Sequence, residues 1–298
     1  MGMNTILSFF VAGLLCFVSL TSRGQDDLLS MIEDGEEKTV DYATASFKTT
    51  RVINAQSIEN VAGGVMDMKI SHRFGFINGG AYELFGLDEA TIRIGLDYGL
   101  TDKLMVGWGR SSFEKTYDVF LKYKLLRQSR GARRVPVTVS WFSSTAITTL
   151  KWAQPERENY FSSRMYYSHQ LLVGRKFSDN FSLQVMPTFV HRNIVKNENE
   201  QNDVYALGVA ARQKLTKRVA INTEYFYVTP GQVDDRYRNS FSIGFDIETG
   251  GHVFQLHFTN STSMIERGFV TETTGDWLNG DIHFGFNVSR VFTIRKEK

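Results

Sequence analysis

The chain has 298 residues, which is enough for one large all-β domain or two smaller ones. Its 34 Lys and Arg residues are nearly balanced by 32 Asp and Glu residues, and this excludes the strongly basic surface of a nucleic-acid-binding protein. After the N-terminal apolar run, no stretch approaches the ~18 uninterrupted apolar residues that a membrane-spanning helix requires.

Residues 1–24 have the pattern of a secretory signal peptide. A continuous apolar run from Ile6 to Leu20 is followed by the small-x-small sequence Ser22-Arg23-Gly24, which predicts cleavage before Gln25. Cys16 lies within the apolar run, so the mature chain would contain no cysteine and no disulfide. The sequence therefore predicts an exported protein.

Residues 25–64 form an extension that differs in character from the rest of the chain. Its start is acidic, and its second half carries Phe47, Val52, Ile53 and Ile58 without a clean alternation. These apolar side chains would be exposed to water unless another part of the protein covers them. We expect the extension to be a periplasmic tether or a partial plug, with residues 47–58 entering or capping the periplasmic mouth of a barrel.

From residue 65 to residue 298, apolar and polar residues alternate in twelve runs. The stretch from Tyr167 to Val190 shows the repeating unit, because two alternating halves flank the turn residues Ser178-Asp179-Asn180. Each half has one apolar and one polar face, as in a β-hairpin. The sequence thus predicts an all-β fold, an antiparallel up-and-down transmembrane β-barrel of about twelve strands.

The connections between the runs alternate between long segments and short turns. Long segments such as Ser143–Ser163 and Asn260–Asn279 follow the odd strands, whereas short turns follow most of the even strands. Outer-membrane barrels have short periplasmic turns and longer extracellular loops. The alternation therefore predicts the cell outer membrane as the location and the lipid bilayer as a partner, with both of these long segments outside.

Aromatic residues on the apolar face are predicted to form two girdles at the membrane–water interfaces. The predicted long-loop girdle contains Trp108, Tyr117, Trp141, Tyr167, Phe189, Tyr205, Tyr227 and Phe258. The predicted short-turn girdle contains Tyr98 and Tyr123.

Charged residues of both signs lie on the polar face and are the candidate lining of the lumen. They are Asp67, Lys69, Arg73, Arg93, Asp97, Asp118, Lys122, Lys124, Arg212, Glu224 and Asp246. Two interpretations remain open, because a barrel of this size can be filled or can hold a channel. The residues either form a ladder of ion pairs that fills a narrow lumen or select what passes through it.

Several segments give the chain a family resemblance. The runs ISHRFG, FGLD and GRSSFEKTYD lie in the densest part of a similarity that extends from Phe47 to the C-terminus. In these runs the chain resembles an uncharacterised family of exported β-barrel proteins from Gram-negative bacteria, a domain of unknown function. The resemblance implies a fold and a compartment but no activity. The final strand, with Phe284, Phe286 and Phe292, is similar to the C-terminal signal read by the outer-membrane assembly machinery.

Motifs for catalysis, metals or cofactors are missing from the sequence, so we predict no catalytic residue, no metal and no cofactor. His169 near Ser162 or Ser163 is the only candidate pair for a membrane-embedded lipid hydrolase. The favoured prediction is a small pore, a transport protein or a structural envelope protein. The alternatives are that lipid hydrolase and a soluble exported barrel that binds a small ligand. The sequence does not indicate an oligomeric state.

Overall fold

The computed structural model describes residues 39–295, so the predicted signal peptide, the acidic start of the extension and the last three residues lie outside the described residues. Twelve antiparallel strands form a closed barrel, which confirms the fold and the strand number predicted from the alternation. Within residues 39–295, no helix is both long enough and apolar enough to cross a membrane.

The strands of the barrel are eight to twelve residues long and follow one another around it in chain order. A further pair of three-residue strands, β1 (Val40–Tyr42) and β6 (Ser129–Gly131), forms a small separate sheet. The barrel strands are β2 (Val65–Phe76), β3 (Ala90–Gly99), β4 (Leu104–Ser111), β5 (Thr116–Leu126), β7 (Thr138–Thr148), β8 (Met165–Lys176), β9 (Phe181–Arg192), β10 (Asp203–Lys214), β11 (Val219–Val228), β12 (Phe241–Thr249), β13 (His252–Thr259) and β14 (His283–Thr293).

Pairing between the first and last barrel strands closes the sheet. Strand β14 runs antiparallel to β2, with Val288 opposite Ile70 and Thr293 opposite Val65. Since every barrel strand has a neighbour on both sides, the sheet has no free edge. Closure of this kind satisfies the backbone hydrogen bonds of strands that lie in lipid.

The two faces of the barrel follow the alternation in the sequence. In β5, Asp118, Phe120 and Lys122 are buried in the interior. Val119 and Tyr123, which point the other way, are exposed on the outer surface. The same alternation holds in β12 and β13. The outer face of these strands is apolar, and the interior carries the charges.

An arginine on the outer face of β5 should destabilise the protein strongly. Val119 lies between Tyr117 and Tyr123 in the outward row of this strand. We expect Val119→Arg to lower the free energy of unfolding from lipid vesicles by ~1–4 kcal/mol, because a cation costs most at the bilayer midplane and less towards the girdle residue Trp108, with which Val119 is paired. The control is Tyr82→Arg in an exposed loop, which should change it by less than ~0.5 kcal/mol. An equal effect of both substitutions would contradict a lipid-facing outer surface.

Strand β7 differs from its predicted course. It begins at Thr138, after Pro136, which has no backbone N–H to donate to a sheet, and it continues to Thr148. The segment Ser143–Ser163 is therefore strand in its first third rather than loop. In addition, Trp141 is paired with Tyr123, so it lies at the level of the short-turn girdle. Its predicted place in the long-loop girdle is wrong because the strand extends further than expected.

Candidate functional site

Residues 43–62, which we call the plug, occupy the interior of the barrel. The plug begins beside β1, where the Ala43 N–H donates to the Gln128 carbonyl. It ends beside Gly64, whose N–H donates to the carbonyl of Gly99 at the start of the β3–β4 turn. Both of its ends thus lie at the short-turn end of the barrel. Most of the side chains from Ser46 to Ile58 are buried.

The middle of the plug is a tight hairpin with a polar attachment at its tip. Arg51 bridges Gln56 in antiparallel fashion, and the Val52 N–H donates to the Ala55 carbonyl at 2.8 Å. At the tip, the N–H groups of residues 53, 54 and 55 all donate to the carboxylate of Glu224, at 2.9–3.1 Å. A buried carboxylate requires such partners, and here the plug supplies them.

Lys122 holds the two arms of the plug from the opposite side. Its ammonium group donates to the carbonyl oxygens of Thr50, Ser57 and Glu59 and to the side-chain oxygen of Gln56, at 2.6–3.3 Å. This lysine is fully buried. Its hydrogen-bonding partners are all plug oxygens, so the plug is what satisfies its charge.

Three neutral side chains of the wall bind the plug backbone. Gln184 accepts from the Ile58 N–H at 2.7 Å and donates to the Gln56 carbonyl at 2.8 Å. Gln255 donates to the Val52 carbonyl at 2.8 Å, and Asn287 donates to the Ile53 carbonyl at 3.0 Å.

The rest of the plug packs against an apolar section of the wall. Phe47, Ala55 and Ile58 belong to one buried cluster with side chains of β4, β5 and β7–β11. Gly174 allows the closest approach, because a Cβ atom at this position would lie 2.7 Å from the Ile58 Cδ1 atom. The interior is therefore not uniformly polar. The inward apolar residues of the cluster are Met105, Phe120, Phe142, Leu172, Met186, Val190, Val204, Ala206, Ala210, Phe226 and Val228.

Ion pairs connect most of the charged residues on the remaining wall. Lys69 contacts both Asp67 and Asp97, and the Lys69 Nζ–Asp97 Oδ2 distance is 2.8 Å. Arg93 and Asp118 form a two-point contact, with an Nε–Oδ1 distance of 2.9 Å. Asp97 also accepts from the Thr50 hydroxyl of the plug at 2.7 Å. Arg93 thus neutralises Asp118, and Lys69 shares its single positive charge between two carboxylates.

The predicted lumen residues lie close to one another around the plug. Ten of the eleven are buried, and Lys124, near the short-turn end, is only half-buried. Arg73 and Glu224 bind the plug at Asn54, and the interior ion pairs use most of the others. Arg212 lies 3.8 Å from Asp246 and 3.6 Å from Glu248.

The loop between β13 and β14 folds back into the barrel from the long-loop end. It contains the short helix α1 (Glu266–Thr271), all of whose residues are buried, and Phe269 packs on Phe226 with ring centroids 5.1 Å apart. Arg267 pairs with Glu114 and Glu272. Residues 261–271 of the segment Asn260–Asn279, which was predicted to lie outside, thus fold into the lumen from the long-loop end, where their apolar side chains are covered.

The plug and this loop meet inside the barrel. One guanidinium nitrogen of Arg51 donates to the Asn54 carbonyl and lies 3.2 Å from a carboxylate oxygen of Glu266. Both side chains are almost fully buried. The lumen is consequently occupied from both ends by segments of the same chain.

A second contact ties this loop to its neighbour at the long-loop rim. Lys196 lies 3.6 Å from Glu272. Burial alone would lower the pKa of Lys196, but the Glu272 carboxylate raises it above its ordinary value. Because the Lys196 side chain is half exposed, this ion pair adds at most ~1 kcal/mol to the attachment of the loop.

Aromatic side chains of the predicted girdles lie on the outer face. Phe189 packs on Tyr205 with ring centroids 5.2 Å apart, and Trp108 lies 6.3 Å from Tyr117. His169, the hydrolase candidate, lies between two rings, 6.5 Å from Trp141 and 6.1 Å from Phe189. Tyr98, Tyr123, Tyr167, Tyr227 and Phe258 also belong to the outward rows of their strands.

Sequence reasoning missed the neutral binders Gln184, Gln255 and Asn287. Each occupies an inward position, which the alternation does indicate, but only charged residues were singled out there. Within residues 39–295, no group of three or more His, Cys, Asp or Glu residues is placed to hold a metal ion.

Comparisons with known proteins address the fold and the family. A family profile described as a membrane bound beta barrel domain (DUF5777) matches residues 47–292, a range that includes most of the plug. No curated protein matches the chain by sequence.

Solved porin structures resemble the fold at low sequence identity. The NanC porin is 8% identical, with a TM-score of 0.47 over 76% of this chain and 98% of its own. The KdgM porin is 10% identical, with a TM-score of 0.46 over 76% and 99%. An outer membrane channel from Pseudomonas putida F1 is 13% identical, with a TM-score of 0.43 over 78% and 96%.

Proposed function

The chain belongs to the membrane bound beta barrel family, and we propose that it is an outer-membrane pore for small polar solutes that its own plug holds closed. A membrane barrel of even strand number is of the outer-membrane type, so its outer surface contacts the lipid bilayer. In such barrels the short turns face the periplasm. The plug therefore enters from the periplasmic mouth.

The observation that carries this proposal is the path of the plug. Residues 43–62 enter and leave through the same mouth, since the Ala43 and Gly64 backbones are both bound at the short-turn end. A segment arranged in this way can withdraw without threading through the barrel and without breaking any pairing between barrel strands.

The chemistry of the contacts also supports a removable plug. Glu224, Lys122 and Gln184 bind it through hydrogen bonds that water can replace once the plug leaves. A cavity of about 460 Å³ at the short-turn mouth, lined in part by Lys48, Glu59 and His252, lies beside the plug. Thr50 and Glu59, whose carbonyl oxygens bind Lys122, line this cavity, so it extends to that part of the plug from the periplasmic side.

The last strand supports a further part of the proposal. Strand β14 completes the barrel by pairing with β2, and Phe284 and Phe286 lie on its outer face. We propose that the outer-membrane assembly machinery recognises this strand before the barrel closes.

Removal of the plug should open the pore. We expect deletion of residues 25–60 to raise single-channel conductance in planar bilayers from near zero to a steady level, because the lumen loses its filling from the short-turn end and keeps only the inserted loop, residues 261–271. The control is deletion of residues 25–38, which leaves the plug and should leave the channel closed. If the longer deletion assembles into a barrel and remains silent, and stays silent when residues 261–271 are deleted as well, the pore proposal is wrong, and a structural role in the envelope would be favoured.

A further inference from the structure

We propose that the lumen is a binding site for peptides, and that the plug occupies it as an internal substitute for a short, turn-forming peptide. This inference rests on the proposed pore function and names the class of solute. It starts from the part of the plug that the wall contacts, which is mainly the peptide backbone.

Gln184 shows the pattern most directly. Its carbonyl oxygen accepts from the N–H of residue 58, and its amide nitrogen donates to the carbonyl of residue 56. One side-chain amide thus satisfies a donor and an acceptor of the same backbone segment, as a neighbouring strand would. Neither contact depends on the identity of the plug side chains.

The same selectivity for backbone groups recurs around the lumen. Gln255 and Asn287 donate to successive carbonyl groups, those of residues 52 and 53. Glu224 accepts from three successive N–H groups, and Lys122 donates to three backbone carbonyl groups. The wall therefore offers separate acceptors for N–H groups and donors for C=O groups.

This arrangement favours amides over polyols. A peptide places a C=O and an N–H at the fixed spacing that Gln184 bridges between residues 56 and 58, whereas the hydroxyl groups of a sugar follow the ring and do not repeat this spacing. The apolar section of the wall, which includes Leu172, Met186 and Phe226, would accommodate aliphatic side chains, as it now accommodates those of the plug. A short, uncharged peptide with small apolar side chains fits both the groups that bind the backbone and the apolar section of the wall.

The test uses the full-length chain with a loosened plug. Substitution of Phe47 and Ile58 by serine removes two buried apolar contacts of the plug and leaves the wall intact. Single-channel current through this variant is recorded while capped trialanine or a disaccharide of similar size is added. We expect the half-blocking concentration of the peptide to be about tenfold lower than that of the disaccharide. One to two net hydrogen bonds provide a ratio of this size.

Two glutamine variants then locate the site. In the loosened background, Gln184→Met should make the half-blocking concentrations of the peptide and the disaccharide nearly equal. Gln170→Met is the matched control, since Gln170 is a buried inward glutamine whose amide donates to Thr188 within the barrel wall; it should keep the tenfold ratio. A conducting variant that blocks equally with both solutes overturns the peptide inference alone. A loosened variant that never conducts, even after deletion of residues 261–271, overturns the pore proposal together with it.

Discussion

Replacing Glu224 by leucine should release the plug and convert a closed barrel into a conducting one. The substitution leaves the N–H groups of residues 53, 54 and 55 without their common acceptor inside the lumen. Each orphaned buried donor costs about 1–3 kcal/mol. We therefore expect the closed state to lose at least ~3 kcal/mol, which raises the ratio of open to closed channels by a factor of about 100.

Single-channel recording of the full-length variant measures this ratio directly. The matched control is Glu248→Gln at the short-turn mouth, where Glu248 pairs with the partly exposed Lys48 at 2.7 Å. That pair is worth at most ~1 kcal/mol, so the control should change the ratio by less than about tenfold. Heat-dependent migration in gels shows whether each variant has assembled. A folded Glu224→Leu barrel that stays closed would show that the plug does not depend on this attachment.

A break in the contact between Arg51 and Glu266 should loosen two segments that enter from opposite ends. Arg51→Met leaves the Glu266 carboxylate buried without its cation, and such a loss typically costs ~3–5 kcal/mol. Because the pair connects the plug to the inserted loop, we expect both to become more accessible. Coupling between two sites is reciprocal, so Arg51→Met in the plug should also expose the loop, and Glu266→Met in the loop should also expose the plug.

Limited proteolysis of the protein in vesicles, followed at residues 43–62 and at residues 260–275, tests this coupling. The double variant Arg51→Met, Glu266→Met leaves no unpaired charge, and it should be less sensitive than either single variant. Arg236→Met is the control, because this exposed arginine pairs with Glu200 at the outer rim and contacts neither segment. Additive effects of the two single substitutions would mean that the plug and the loop move independently.

The sequence predicted the barrel well because a membrane imposes its own rules on each strand. In β5 the outward residues are apolar and the inward ones include Asp118 and Lys122, so a period of two alone assigns the faces. The number of strands and the alternation of long and short connections follow from counting these runs. Trp141 was assigned to the wrong girdle, because the end of β7 depends on pairing with β5 and β8 rather than on composition.

The contents of the lumen were harder to predict because they depend on contacts between distant residues. The apolar residues between positions 47 and 58 indicated a need for cover, but they did not indicate Glu224 or Gln184 as partners. The inserted loop likewise contains apolar residues that need cover, namely Met264, Ile265, Phe269 and Val270. Apolar residues in a predicted loop do not by themselves predict inward folding, because Tyr82, Leu84 and Phe85 in the β2–β3 connection are exposed.

The position of the plug at the start of the barrel chain also constrains the order of folding. The residues that hold it are contributed by β5, β9, β11, β13 and β14, and Asn287 is separated from its partner Ile53 by 234 positions. The plug is synthesised first, but its binding site is complete only when the last strand has been added. The complete set of plug contacts can therefore form only after the last strand is in place, and we expect full insertion of the plug to be slow because its contacts join residues far apart in sequence. The same strand supplies the β14–β2 seam, so closure of the barrel and completion of the plug site depend on one event.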